Sequence, residues 1–183
     1  MSRTYYYLIA SLPLLDFNDP PPISYDSFLQ QCLQQLHKND LTSLQRATLT
    51  LDEADAKDNR FLKSWAHVNQ QMRWEIARHR YLKMGRDPAA PLKESASADE
   101  ALIMTVKEAF QADDPLTAEK ILDRFRWNFL EELTQGKFFT FELILIYALK
   151  LQMLERYQNI AAGIKGKEVF ETYKKAVFEK VTI

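Results

Sequence analysis

Apolar residues recur at three- and four-residue intervals along most of this chain, the spacing that puts side chains on one face of an α-helix. The clearest stretch runs from Asp114 to Gln158 and reads as a helical hairpin. Asp114 can accept from the free amides of a first turn, and Pro115 at the next position gives up no hydrogen bond there. Leu116, Leu122, Phe125, Phe129 and Leu133 then keep to one face. Gly136 marks the stop, because glycine takes the left-handed conformation without a Cβ clash, and Lys137 to Thr140 start the return. From Phe138 to Leu151 the second helix is apolar almost all round, interrupted only by Thr140, Glu142 and Lys150. A helix without a polar face is buried on most sides, so Phe138 to Gln158 is predicted to be the central core helix.

Upstream, Ser24 fits the cap of an amphipathic helix with Phe28, Leu29, Cys32, Leu33 and Leu36 on one side and Gln30, Gln31, Gln34 and Gln35 on the other. Asn39 and Asp40 break it, Leu41, Leu44, Ala47, Thr48 and Leu51 predict a shorter helix, and the acidic run from Asp52 to Asp58 reads as a solvated turn. Phe61, Trp65, Val68, Met72 and Ile76 form one stripe of a long helix from Asn59 to Met84 that ends at Gly85. With Pro88, Pro91 and a serine-rich run, Arg86 to Ser97 is the candidate flexible break in an otherwise single domain over residues 1–183. Ser97 and Glu100 match a capping box ahead of Leu102, Ile103, Val106 and Phe110. Gly163 and Gly166 are expected to bracket a turn, followed by a closing amphipathic helix through Val169, Phe170, Tyr173, Val177 and Val181.

The start is different. Tyr5, Tyr6, Tyr7, Leu8, Ile9 and Ala10 have the composition of a strand, but no second convincing strand exists to pair with, so this run packs as an extended piece or a short helix. Leu12 to Pro22, with Pro13 and the triplet Pro20 to Pro22, is a stiff non-helical connection. The expected fold is all-α, a compact helical bundle of about six or seven helices with an extended N-terminal segment.

Composition narrows the function classes. The 183 residues are 46% hydrophobic, enough for a packed core without disulfide or metal staples. The 24 basic and 25 acidic residues leave no field that would hold a nucleic-acid backbone or an anionic membrane. A single cysteine, Cys32, excludes an internal disulfide and fits a reducing compartment. Pro13 and Asp16 interrupt the N-terminal apolar run too early for a signal peptide, and the core helix falls short of the ~20 apolar residues of a membrane span, so a cytoplasmic protein is expected.

Candidate chemistry is sparse. Cys32 lies on an apolar face and reads as a buried structural thiol. His37, His67 and His79 show no metal-ligand spacing, and neither a phosphate loop nor a nucleophile with its base is visible, so no metal, cofactor or catalytic residue is expected. Glu142, set among Phe141, Leu143, Ile144, Leu145 and Ile146, is either a buried carboxylate paired with a base or, the blander reading, a helix-start acid favoured by the dipole. Arg73, Arg78, Arg80, Lys83 and Arg86 cluster toward the end of one long helix, where positive charge needs no ligand to explain it; Trp74 and Tyr81 beside them resemble a nucleic-acid platform only weakly. Tyr5, Tyr6, Tyr7, Arg73 and Arg80 are the candidate partner contacts.

The opening Tyr5, Tyr6, Tyr7, Leu8, Ile9, Ala10, Ser11, Leu12 and Pro13 carries a family resemblance. So does the pattern Leu122, Asp123, Trp127, Leu130, Glu131, Glu132, Leu133, Gly136, Phe138, continuing through Glu142, Ile144, Tyr147, Leu149, Lys150, Leu151, Leu154, Glu155 and Arg156. The middle, Trp65 to Arg80 with Asn69, Arg73 and Ala77, is compatible with it. On these residues the chain resembles small bacterial proteins encoded with the V-type ATP synthase, which look like shortened relatives of the C-subunit of its central stalk. The resemblance implies a helical, non-catalytic component that contacts the shaft or the membrane rotor ring and lies peripheral to the inner membrane through that complex. The C-subunit itself is longer and built from repeated helical modules, whereas this chain has room for one or two. Two rival readings remain. An unrelated helical adaptor would show an exposed apolar patch beside Tyr5 to Tyr7 or along the last helix, and an enzyme would show a deep pocket drawing together groups such as Glu142, Arg73 or His79.

Overall fold

The computed structural model describes residues 4–56, 59–87 and 99–181. Among these, seven helices form: α1 (Tyr6–Ser11), α2 (Tyr25–Gln35), α3 (Lys38–Arg46), α4 (Arg60–Lys83), α5 (Glu100–Gln111), α6 (Pro115–Glu132) and α7 (Phe141–Val181). The only β pairing among the described residues is one isolated antiparallel bridge between Thr4 and Thr140. The fold is all-α, as the periodicity requires.

Local chemistry sets most of the boundaries. Ser24, Asn59 and Asp114 cap α2, α4 and α6, accepting from Ser27 N at 3.2 Å, Phe61 N at 2.9 Å and Thr117 N at 2.9 Å. Gly136 ends the α6 turn region at φ +69°, a conformation that costs glycine nothing. Three expectations change, and the choice left open for the N-terminal run falls to the helix. The break after α2 comes at Leu36 and His37, while Asn39 and Asp40 open α3, where an acid suits the helix dipole. The cap of α5 is Asp99, which accepts from Ala101 N at 3.1 Å, and Ser97 lies outside the described residues. Tyr6 to Ser11 is a short helix, so the extended N-terminal segment is the proline-rich run that follows it. The expected turn at Gly163 and Gly166 is absent, because α7 runs on as one helix of 41 residues. A glycine inside a helix costs only about 1 kcal/mol relative to alanine, too little to break one by itself. The side chains of the expected closing helix, and residues 88–97 of the expected break, lie outside what is described.

The core divides into two hydrophobic clusters. The larger joins Leu8, Phe28, Cys32 and Leu44 of α1 to α3, Phe61 to Ala66 at the start of α4, Trp127 and Leu130 of α6, and α7 from Ile144 to Leu154. The smaller packs Met72 of α4 against Leu102, Val106 and Ala109 of α5 and Leu122 of α6. Thus α7 is the core helix, but Phe138 precedes it and is 75% exposed. Both α4 and α6 pass from one cluster to the other, and where they do so the chain places polar residues. Arg126 Nε donates to Asn69 Oδ1 at 2.9 Å and Arg126 Nη1 to Asp123 Oδ1 at 2.6 Å. Arg156 and Tyr157 of α7 close on the other Asp123 oxygen, Tyr157 donating at 2.6 Å. This polar layer fixes the register of three helices at once.

Candidate protein-contact surface

The three N-terminal tyrosines divide between anchor and surface. Tyr5 is buried: its amide donates to Phe139 O at 2.8 Å, its ring meets Phe141 edge-on at 6.3 Å, and its hydroxyl donates to Asp40. The anchor presents its neighbours outward, with Tyr6 56% and Tyr7 84% exposed. The Tyr6 ring meets Phe139 at a tilt with centroids 4.5 Å apart, and Phe138 on the same turn is exposed. Large apolar side chains held outward on a fixed base mark contact surfaces more often than isolated exposed leucines do.

The base carries strain. Phe139 has φ +55°, the left-handed region that a Cβ disfavours by roughly 1–2 kcal/mol. The Tyr5 hydrogen bond and the Tyr6 stack hold it there, and Thr4 pairs with Thr140 one residue on. Backbone strain of this kind persists only where the surroundings over-determine it. Sequence reasoning singled out Tyr5 to Tyr7 together, without separating buried Tyr5 from its exposed neighbours, and placed Phe138 in the core, because helical period carries past Gly136 without showing that the helix starts later.

The remaining candidates do not join this surface. Arg73 sits on α4, paired with Asp52 at 2.7 Å and donating to Leu51 O at 3.4 Å; Arg80 is exposed in the last turn of the same helix. Glu142 is not a buried charge. Its side chain is 40% exposed in the first turn of α7, 4.0 Å from Lys137 Nζ, which is the dipole-favoured position. His79 stacks on Phe110 at 4.3 Å, so Glu142, Arg73 and His79 build no common pocket. A concavity of about 690 Å³ is lined by Arg46, Thr48, Thr50, Asp52 and Asp55 and holds none of these three.

The buried charges lie elsewhere, at Glu75, Asp123 and Lys150. Glu75 accepts from Arg78 at 2.5 and 2.7 Å, and that hydrogen bond pushes the Arg78 guanidinium up. Burial pushes the Lys150 ammonium down, more than the Glu131 carboxylate at 3.1 Å restores. Partial burial works against Glu131, yet Lys150 and the Trp127 indole N–H at 2.9 Å hold it below the usual carboxylate range. Burial also pushes the Cys32 thiol up to about 12, as befits an inert core cysteine. Each buried charge looks in the sequence like an ordinary helix-surface residue, and no period separates it from one. Among the described residues, no group of three or more His, Cys, Asp and Glu is placed to hold a metal ion, and no helix is long and apolar enough to cross a membrane.

Residues 25–177 match the model of the family described as "Protein of unknown function (DUF2764)", and the chain belongs to that family. No curated protein and no solved structure matches it significantly.

Proposed function

Starting from a family whose description gives no activity, we propose that this protein is a non-catalytic accessory or central-stalk component of a bacterial V-type ATPase, similar to its C-subunit, acting through protein contacts with the shaft or the rotor ring. The observation that carries a contact role is the outward aromatic pair Tyr6 and Tyr7, with exposed Phe138 on the turn that buried Tyr5 ties down. The complex is assigned by the resemblance of the opening tyrosine run and the α6–α7 hairpin to the proteins encoded with that ATPase. An exposed apolar patch at this place equally supports an adaptor for another complex, so the experiment must identify the partner.

A tagged chain is recovered from its native host through a salt wash and its companions identified by mass spectrometry, beside the variant Tyr7→Ser with Phe138→Ser. Both substituted side chains are exposed, so stability should stay within about 0.5 kcal/mol of the parent. Recovery of ATPase components with the parent and their loss with the variant is the expected result. Recovery of none, with the ATPase intact in the lysate, ends the stalk assignment. Equal recovery with both chains moves the contact away from the aromatic end.

A further inference from the structure

Near its end, α4 keeps large apolar side chains outside the core. Trp74, Tyr81, Leu82 and Met84 are exposed, while Phe61, Trp65, Met72 and Ile76 on the other side of the helix pack into the two clusters. Trp74, Arg78, Tyr81 and Leu82 recur at i, i+4, i+7 and i+8, the spacing of one continuous stripe. Basic groups border it. Arg80, seven residues after Arg73, lies on one flank with it. Gly85, at φ +67°, turns the chain so that Arg86 N donates to Tyr81 O at 3.0 Å, which returns Arg86 to the end of the stripe. From Arg73 to Asp87 the chain carries five basic side chains against Glu75 and Asp87. Asp52 pairs with Arg73 and Glu75 with Arg78, and Lys83 sits 5.9 Å over Phe110, which leaves Arg80 and Arg86 exposed and without an ion-pair partner among the described residues. The helix dipole explains positive charge at this terminus but not large apolar side chains facing water beside it.

We propose that this face of α4 docks an acidic amphipathic helix of a partner protein, whose apolar ridge lies against Trp74, Tyr81 and Leu82 while its carboxylates meet Arg80 and Arg86. Charge decides the sign of the partner, since cations beside the stripe attract carboxylates and repel a basic segment. Apolar chemistry decides its class. A nucleic-acid platform stacks successive bases on aromatic rings, whereas Leu82 and Met84 offer none and Trp74 and Tyr81 stand two helical turns, about 10 Å, apart. A second helix fits that spacing, because its own ridge of side chains recurs with the same period. The surface shares no residue with the aromatic end at Tyr6 and Tyr7, so the two readings fail separately.

The test uses the intact chain and tryptophan fluorescence. Trp74 is 37% exposed whereas Trp65 and Trp127 are buried at 0% and 3%, so the fraction open to acrylamide reports this face. The probes are a synthetic peptide of Leu-Glu-Glu-Leu repeats, its Leu-Lys-Lys-Leu counterpart, an acidic peptide of the same composition with leucine at every second position, and oligouridine. Saturable shielding of Trp74 by the acidic helical peptide, at least tenfold tighter than by the other three and weaker as salt rises, is the expected result. Tyr81→Ser with Leu82→Ser, and separately Arg80→Glu with Arg86→Glu, should each weaken it about tenfold; these side chains are exposed, so the fold is kept. No saturable shielding, equal shielding by the basic or the alternating peptide, or tighter binding of oligouridine would each overturn the proposal, and these comparisons need only the parent protein. A Trp74 closed to acrylamide before any peptide is added would overturn it as well.

Discussion

The amide of Tyr5 donates to the carbonyl of Phe139 across 2.8 Å, tying the start of the chain to the turn between α6 and α7. This one bond holds a left-handed phenylalanine, φ +55°, beneath the exposed Tyr6 ring. Phe139→Gly removes both the strain and the stack. Relief of about 1 kcal/mol against the lost aromatic contact of about 0.5–1.5 kcal/mol predicts a stability change near zero. Tyr6 should nevertheless become more mobile, seen as faster relaxation of its ring resonances. A loss above about 2 kcal/mol in urea unfolding would show that Phe139 packs for stability and carries no strain worth relieving.

Asp123 is the most consequential polar residue of the fold. It is 1% exposed and takes Arg126, Arg156 and Tyr157 from two helices. Asp123→Ala leaves the Arg126 guanidinium without its carboxylate and Arg156 with only Glu119 at 3.6 Å, and should cost about 3–5 kcal/mol. Denaturant midpoints compared with Asp113→Ala, an exposed control, give the difference.

Tyr147 has a buried hydroxyl for which no partner is found among the described residues. Tyr147→Phe keeps the ring packed on Phe28 at 5.2 Å and deletes the unpaired group, so it should stabilise the protein by roughly 1 kcal/mol. Tyr157→Phe is the contrast, because it removes a 2.6 Å bond to Asp123 and should destabilise by about 1.5–3 kcal/mol. Equal effects of the two substitutions in thermal unfolding would show that the hydroxyls are equally well paired.

Alkaline pH should weaken the fold. Burial raises Tyr25 and Tyr157, lifts Tyr147 from 10.0 to about 12, and lifts Cys32 from 9.0 to about 12. The native state therefore keeps protons that the unfolded chain releases above pH 9 to 10, and stability present below that range is lost as pH rises toward 12. Lys150, whose folded value is lowered, acts in the opposite sense below 10.5, but it is one group against four. Urea unfolding at pH 8 to 11, with tyrosinate absorbance as the second signal, should show a falling free energy and a shallower slope in Tyr147→Phe. A flat profile would mean that these side chains reach solvent.

Much of the architecture was legible because helices are local objects. The period of Phe61, Trp65 and Met72, the caps at Ser24 and Asp114, and the left-handed glycines at Gly85 and Gly136 each depend on a few neighbouring residues, and each appears where the sequence puts it. The apolar run of α7 likewise signalled its burial.

Which residues form helices, and which helix lies in the core, can therefore be read from the chain alone, since backbone hydrogen bonds and side-chain period act over one or two turns. Which charges are buried depends on tertiary packing. Asp123 and Lys150 occupy helix positions indistinguishable from those of Asp26 or Lys107 until Arg156, Glu131 and Trp127 close around them. The same packing turns Tyr5 inward and Tyr7 out, and leaves Phe138 free, because exposure depends on what another part of the chain covers. Helical periodicity names a face, and only packing across the chain determines whether anything lies against it.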